Sequence, residues 1–161
     1  MDTTQSLDIT RTTYRVADFL SWQRGRNLNL RPPFQRGSVW SAKAKSFFID
    51  TVVKGFPVPL LFIQDKTDPE TYEPKRLVVD GQQRIRTVLA FVDVNCLSDR
   101  QDSDAFTVLR MHNADLAGKR FERLPADLRE RILNFQFSVQ VLPSTTPNAA
   151  LLEIFARMTA T

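Results

Sequence analysis

Apolar residues that recur every three to four positions predict several helices along the chain. The clearest pattern covers residues 82–94, where one stripe holds Ile85, Val88, Leu89 and Val92. A second helix is predicted over residues 42–54, because Ser41 is a suitable N-cap and Gly55 a suitable C-terminal glycine. Similar spacing predicts helices that start near Tyr14, Pro125 and Thr146-Pro147.

Strands are predicted where apolar residues alternate with polar ones or form short buried runs. The alternation is clearest at residues 135–141, and a short example occurs at residues 27–30. Buried runs at 60–63 and 76–80 predict two more strands, with residues 64–75 as a loop or hairpin tip between them. Residues 106–110 and 115–121 are assigned as further short strands. Helices and strands in this order predict an α/β fold of the α+β type, a mixed sheet with flanking helices.

The two ends of the chain differ in character. Residues 1–13 are polar and are predicted to be a flexible N-terminus, so that one domain spans residues 14–161. The last predicted helix carries the apolar stripe Leu151, Ile154, Phe155 and Met158 almost to the final residue. Since an apolar face must be covered, we expect the native chain to continue into a further C-terminal helical region.

Composition narrows the classes of protein. The chain has 161 residues with a net charge of +4, which permits a polyanionic partner without requiring one. The single cysteine, Cys96, excludes an intrachain disulfide, and with only one histidine, His112, a zinc cage of Cys and His is excluded too. Neither a signal peptide nor a membrane span is visible, so we expect a cytoplasmic protein and no membrane partner.

The first candidate site is the turn Asp80–Arg84, which follows the buried run 77–79 and opens the helix 82–94. First-turn N–H groups lack helical partners and suit an anion, and Gly81 permits close approach of a ligand. Arg84 offers a planar fork for phosphate, and Thr87 a hydroxyl one turn further on. The alternative is an ordinary helix start, with Asp80 as N-cap and both Arg84 and Arg86 in solvent.

The second candidate site is the segment 31–40, which joins a predicted strand to a predicted helix. It combines two arginines and Gln35 with the aromatic residues Phe34 and Trp40. Arginine beside aromatic rings suits phosphates and bases. The alternative is a loop that its aromatic residues anchor to the core while the arginines stay in water.

Taken together, these segments resemble a known prokaryotic family, the DGQQR-motif or GmrSD-type restriction endonuclease N-terminal domain. The resemblance covers residues 14–161, nearly the whole chain. Four motifs carry it in the family's order: Phe34-Gln35-Arg36 to Trp40, Gly55 to Pro59, Val79 to Arg84 with Thr87, and Glu153 to Met158. Thr159 stands where the family usually has asparagine.

The resemblance implies a ParB/sulfiredoxin-like fold and a role in defence against phage. It also implies binding and hydrolysis of a nucleoside triphosphate with Mg²⁺, in a domain followed by a helical region and often by an HNH-type nuclease. The catalytic roles would fall to Asp80, Gln83 and Arg84, and Asp80 would hold Mg²⁺ or orient water. Phosphate binding would fall to Gly81, Gln82, Gln35, Arg36 and Thr87.

Three functions are therefore compatible with these motifs. The leading hypothesis is a nucleoside-triphosphate-binding and hydrolysing domain that gates DNA cleavage by a C-terminal nuclease domain, with DNA and nucleotide as partners and a homo-oligomer left open. The alternative is a ParB-like DNA-binding sensor without catalysis, for which no basic stripe along a helix is visible: Arg129 and Arg131 alternate with Asp127 and Glu130. DNA cleavage by this domain itself would need more carboxylates than the turn provides.

Overall fold

The computed structural model describes residues 6–30 and 39–159 of the chain. Its strands form one mixed sheet in the order β1-β5-β3-β4-β2. The pairs β1/β5 and β3/β4 are antiparallel, whereas β3/β5 and β2/β4 are parallel. The predicted α+β fold is confirmed. The elements are β1 Thr10–Arg15, α1 Val16–Arg24, β2 Leu28–Asn29, α2 Ala42–Lys54, β3 Leu61–Thr67, β4 Pro74–Asp80, α3 Gln82–Asp93, α4 Ala126–Leu133, β5 Gln136–Leu142 and α5 Asn148–Thr159.

The two faces of the sheet are covered unequally. On one face the strands contribute Leu61, Ile63, Val78, Phe137 and Val139 to the main core, which α1 to α4 complete. On the other face Leu151 of α5 packs against Phe62, Val79 and Leu142 of the sheet in a smaller cluster. The alternation of side chains along each strand explains this division. The sheet is therefore buried on both faces around β3 and β4, where the chain passes into α3.

Helix α2 confirms the prediction made for residues 42–54. The Ser41 hydroxyl accepts a hydrogen bond of 3.1 Å from the Ala44 N–H group, as an N-cap does. At the other end Gly55 adopts the left-handed conformation with φ of 69°. Helix α5 also starts where predicted, and its stripe is only partly covered: Leu151 is buried and Ile154 and Phe155 are half-buried, whereas Met158 is 39% exposed. Continuation of the chain into a helical region stays a prediction.

The N-terminal prediction is wrong for residues 10–13, which the polar pattern placed in a flexible segment. These residues begin β1, and Thr10 and Thr12 pair with Val141 and Val139 of β5. The pattern of apolar residues misses this strand because half-buried Thr12 takes a core-side position where valine or isoleucine would be expected. Backbone pairing with β5 stabilises the strand instead.

Two assignments around the middle of the chain also need correction. The loop predicted over residues 64–75 is shorter, because β3 runs to Thr67 and β4 begins at Pro74. The predicted strands at 106–110 and 115–121 are instead irregular chain and turns that lead into a short 3₁₀ helix at Phe121–Arg123. Val108 and Leu116 are buried there without belonging to a strand. Their burial produces an apolar pattern that resembles a strand in sequence.

Cys96 lies just after α3 and is expected to react slowly. Burial, with the nearby Asp93 carboxylate, raises the pKa of its thiol from 9.0 to about 11. This higher pKa lowers the thiolate fraction about 100-fold at pH 8. Because a thiolate of higher pKa is also more nucleophilic, we expect a disulfide reagent to label the folded chain about tenfold more slowly than the urea-unfolded chain, measured by the absorbance of the released thiolate. Equal rates would contradict this environment.

Among the helices of residues 6–30 and 39–159, none combines the length and apolar character that crossing a membrane requires.

Candidate functional site

A cavity of about 590 Å³ lies where α2, the turn before β3 and the first turn of α3 meet. One end of this cavity is aromatic and aliphatic, and the other is formed by the turn Asp80–Arg84. Trp40, the last residue of the second predicted motif, thus lines the same cavity as the turn Asp80–Arg84. The lining residues are Trp40, Ala44, Phe47, Phe48, Thr51, Pro57, Val58, Pro59, Asp80, Gly81, Gln82, Gln83, Arg84 and Phe155.

Gly81 is the N-cap of α3 and has the left-handed backbone conformation, with φ of 103°. A β-carbon at this position would overlap Leu61 Cδ2 and would lie 3.0 Å from Arg84 Nη2. Both the torsion angle and the available space therefore require glycine. From the sequence, Gly81 is expected to permit close approach of a ligand. The structure adds a packing reason, the contact of the turn with β3.

Arg84 is only 9% exposed, and its guanidinium bonds to protein groups. Nη1 donates to the Pro59 carbonyl at 3.0 Å, and Nη2 donates to the Leu60 carbonyl at 3.3 Å. Nη2 also lies 3.4 Å from Asp80 Oδ2. Arg84 thereby fixes the turn before β3 against α3. The interpretation of Arg84 as a solvated charge is wrong.

Asp80 stands at the edge of the cavity rather than at the N-cap position. Burial raises the pKa of its carboxyl group, while Arg84 and the Gly81 N–H group lower it in part. Because burial has the larger effect, the carboxylate holds its proton more readily than an ordinary aspartate. Carboxylates that are partly desolvated in a cavity are common among functional groups.

Gln82 and Thr87 lie deeper than the phosphate-binding role requires. The Gln82 amide donates to the carbonyls of Val78 at 3.1 Å and Val79 at 2.8 Å, so it ties α3 back to the end of β4. Thr87 is 2% exposed and packs in the interior. Of these two residues, only Gln82 contributes to the cavity wall.

Gln83 connects the two motifs directly. Its side-chain oxygen accepts a hydrogen bond of 3.3 Å from the Trp40 N–H group. The Trp40 ring packs edge-on against Phe48, with 5.5 Å between ring centroids. Trp40 is the last residue of the segment 31–40, and this bond therefore brings the end of that segment to α3. The predicted site residues Gln35 and Arg36 lie outside the described residues.

The sequence does not predict the ion-pair network that Arg86 forms in α3, one turn after Gln82. Arg86 donates to Asp104 at 2.7 and 2.9 Å and to the Asp99 carboxylate at 3.0 and 3.1 Å. Burial lowers the pKa of Arg86, but the two carboxylates raise it by more. The interpretation of Arg86 as a solvated charge is therefore also wrong. The only sequence signal for this network is the excess of acidic residues at 99–104.

The acids of the described ranges 6–30 and 39–159 form no cluster of three or more metal-ligating side chains. Asp80 is the carboxylate that the cavity offers. One carboxylate fits a Mg²⁺ ion that arrives with phosphate, because Mg²⁺ keeps several waters and takes one or two protein carboxylates in such sites. A site built only from protein ligands does not fit these residues.

Fold and site together define a class of protein: an α+β domain with a cavity at a strand-to-helix turn, walled by an aromatic helix face. The sequence model described as "GmrSD restriction endonuclease, N-terminal domain" matches residues 16–161, and the chain belongs to this family. No curated protein and no solved structure matched the chain. Membership gives the chain a role in restriction and phage defence, with DNA as the substrate of the family. The ParB/sulfiredoxin likeness stays a prediction.

Proposed function

We propose that the domain binds a nucleoside triphosphate in the 590 Å³ cavity and hydrolyses it, and that this reaction gates DNA cleavage by another part of the protein. One observation carries the proposal: a single cavity joins an aromatic wall to the first turn of a helix and a partly desolvated carboxylate. The aromatic wall is suited to a base, and the helix turn to phosphates.

The phosphate end would use backbone groups. The N–H groups of Gln82, Gln83 and Arg84 are in the first turn of α3, and no acceptor for them occurs among the described residues. Such groups, with the positive end of the helix dipole, favour an anion. Arg84 would contribute its positive charge from behind this turn, because its N–H groups already bond to Pro59 and Leu60.

Asp80 is the group best placed to act on an attacking water. Its raised pKa makes it a better proton acceptor than an ordinary aspartate. Arg84, 3.4 Å away, orients the carboxylate. In the alternative role, Asp80 would hold a Mg²⁺ ion that arrives with the phosphates, and the ion would then neutralise developing charge there in place of the proton transfer. Gln83 would position the nucleotide at the junction with Trp40.

The test fills the cavity without touching the motif. Ala44 lines the cavity, whereas Ala42 is an exposed residue of the same helix outside it. Ala44→Phe is expected to weaken triphosphate binding at least tenfold by occupying the space, and Ala42→Phe to leave binding unchanged. Both changes cost about the same helix propensity, roughly 0.5 kcal/mol. Binding is measured by calorimetry with ATP, GTP, CTP and UTP, each with and without Mg²⁺ and DNA.

The outcomes separate the proposals. Binding that only Ala44→Phe abolishes supports the cavity as the nucleotide site. Failure of all four triphosphates to bind the unaltered chain under every condition would overturn the proposal. For the catalytic step, Asp80→Asn is expected to retain binding and lose phosphate release. Normal turnover in that variant would remove Asp80 from its role.

A further inference from the structure

We propose that the exposed face of β1 and β5 binds the sugar-phosphate backbone of DNA. This polar face consists of six side chains on two adjacent strands, and α5 covers the neighbouring part of the sheet, including Leu142 at the end of β5. The inference stands apart from the nucleotide site and concerns binding alone. The residues of the polar face are Arg11, Thr13, Arg15, Gln136, Ser138 and Gln140.

Strand register places the six side chains together. Arg11 pairs with Gln140, Thr13 with Ser138, and Arg15 with Gln136. Neighbouring residues in an antiparallel pair point to the same side, and alternate residues along a strand share a face. The residues between them, Tyr14, Phe137 and Val139, belong to the main core on the opposite side. All six members of the polar face are exposed except Gln140, which is half-buried.

The chemistry of the polar face suits phosphate. Each of the six side chains has a hydrogen-bond donor, and none is a carboxylate. Arginine, serine, threonine and glutamine are among the residue types that contact DNA phosphates. Arg11 and Arg15 are four residues apart on one strand, which separates their α-carbons by roughly 14 Å. An extended row of donors of this length matches a polyanion rather than a small ion.

The two arginines contribute differently. Arg11 forms no ion pair or side-chain hydrogen bond with the residues that the structure describes, so its guanidinium is available. Arg15 donates to the Asn134 side chain at 3.2 Å and lies 3.5 Å from Asp18. Because its charge is partly compensated, Arg15 would orient a phosphate more than attract it. The test therefore concentrates on Arg11.

A protein partner fits the polar face less well than DNA does. Helix α5 packs where the sheet presents Phe62, Val79 and Leu142. None of the six side chains of the polar face is aliphatic or aromatic, whereas a sheet face that another protein element buries is normally apolar. Charge complementarity thus selects a polyanion, and the restriction family supplies DNA as the relevant one.

The experiment measures the affinity of the full 161-residue chain for a fluorescent DNA duplex of about 30 base pairs by anisotropy, without nucleotide, between about 50 and 200 mM salt. Arg11→Ala is expected to weaken binding about threefold to tenfold at the lower salt. It should also reduce the slope of log K against log salt by about 0.9, as loss of one phosphate contact does. Thr13→Glu places a carboxylate in the centre of the polar face and is expected to weaken binding more than tenfold.

Arg110→Ala is the matched control. Arg110 is also exposed and its loss changes the net charge equally, but it lies in the turn held to α2 by the Leu109 N–H bond to Ser46. This variant should change affinity less than twofold and leave the salt slope unaltered. Equal effects of Arg11→Ala and Arg110→Ala would overturn the proposal, as would a Thr13→Glu variant that is folded by circular dichroism and binds normally. Absence of measurable duplex binding by the unaltered chain would overturn it as well.

Discussion

Gly81→Ala is expected to lower the free energy of unfolding by about 2 to 5 kcal/mol and to abolish nucleotide binding. Two costs add. The φ of 103° is strained for any residue with a β-carbon, and the new β-carbon would overlap Leu61 Cδ2. Relief of the contact requires the turn to move away from β3, which displaces the first-turn N–H groups of α3. Urea unfolding and calorimetry with triphosphates measure the two effects.

Gly118→Ala separates the two costs. Gly118 has φ of 70°, and no atom lies within 4 Å of the place that a β-carbon would occupy, so only the torsional cost applies. Its expected loss is about 1 kcal/mol, with nucleotide binding intact. Leu61→Ala should partly relieve the Gly81→Ala variant, so that the double variant is at least about 1 kcal/mol more stable than the two single losses predict. If Gly81→Ala lowers the free energy of unfolding no more than Gly118→Ala does, the contact with Leu61 does not contribute to the loss.

The elements that lead into the site were predictable because local signals agree there. Ser41 and Gly55 bound α2 in sequence as they do in the structure, and the stripe of α3 specifies its buried face. The helix start at residue 82 followed from a buried run, one glycine and an amphipathic pattern. Such agreement between local preference and fold makes a boundary readable from sequence.

The partners of the site residues were not predictable in the same way. Arg84 bonds to carbonyls that lie 24 and 25 residues earlier, and Gln83 bonds to an N–H group 43 residues earlier. Backbone carbonyls are present in every residue, so no residue type marks which of them a side chain will reach. The sequence therefore indicated that Arg84 was chemically suited to phosphate, and only the fold shows that its donors bond to the turn before β3.

The N-terminal strand shows the complementary limitation. Its inward positions are threonines and a tyrosine, and its outward positions include two arginines. Such a segment lacks the apolar alternation by which a strand is predicted. A basic stripe along a helix repeats about every 3.6 residues, so that pattern does not detect arginines that repeat with the strand period of two. Once the pairing with β5 is known, a period of two places Arg11, Thr13 and Arg15 on one face. The same misassignment thus hid both the strand and the polar face.

Arg84→Lys is expected to lower the free energy of unfolding by about 2 to 3 kcal/mol although the charge is kept. An ammonium group cannot donate along the directions that the guanidinium uses toward Pro59 and Leu60 and still reach Asp80. At least one buried carbonyl then loses its partner. Arg129→Lys is the control, because Arg129 has one exposed bond to the Glu122 carbonyl, and we expect less than about 0.5 kcal/mol there. Urea unfolding of both variants measures the difference.

Arg84→Met removes the charge as well, and its cost is expected to depend on pH. The pKa of Asp80 is higher in the folded chain than its ordinary value of 3.8, so folding becomes more favourable as pH falls through the folded-state value. The positive charge of Arg84 lowers the pKa of Asp80 in part. Its removal therefore raises that pKa further, and the ionised carboxylate destabilises the folded chain more. The variant should therefore lose more stability at pH 7 than at pH 4, relative to the unaltered chain. Asp80→Asn in the same chain should remove this difference, whereas a pH-independent loss would show that the carbonyl bonds alone account for the role of Arg84.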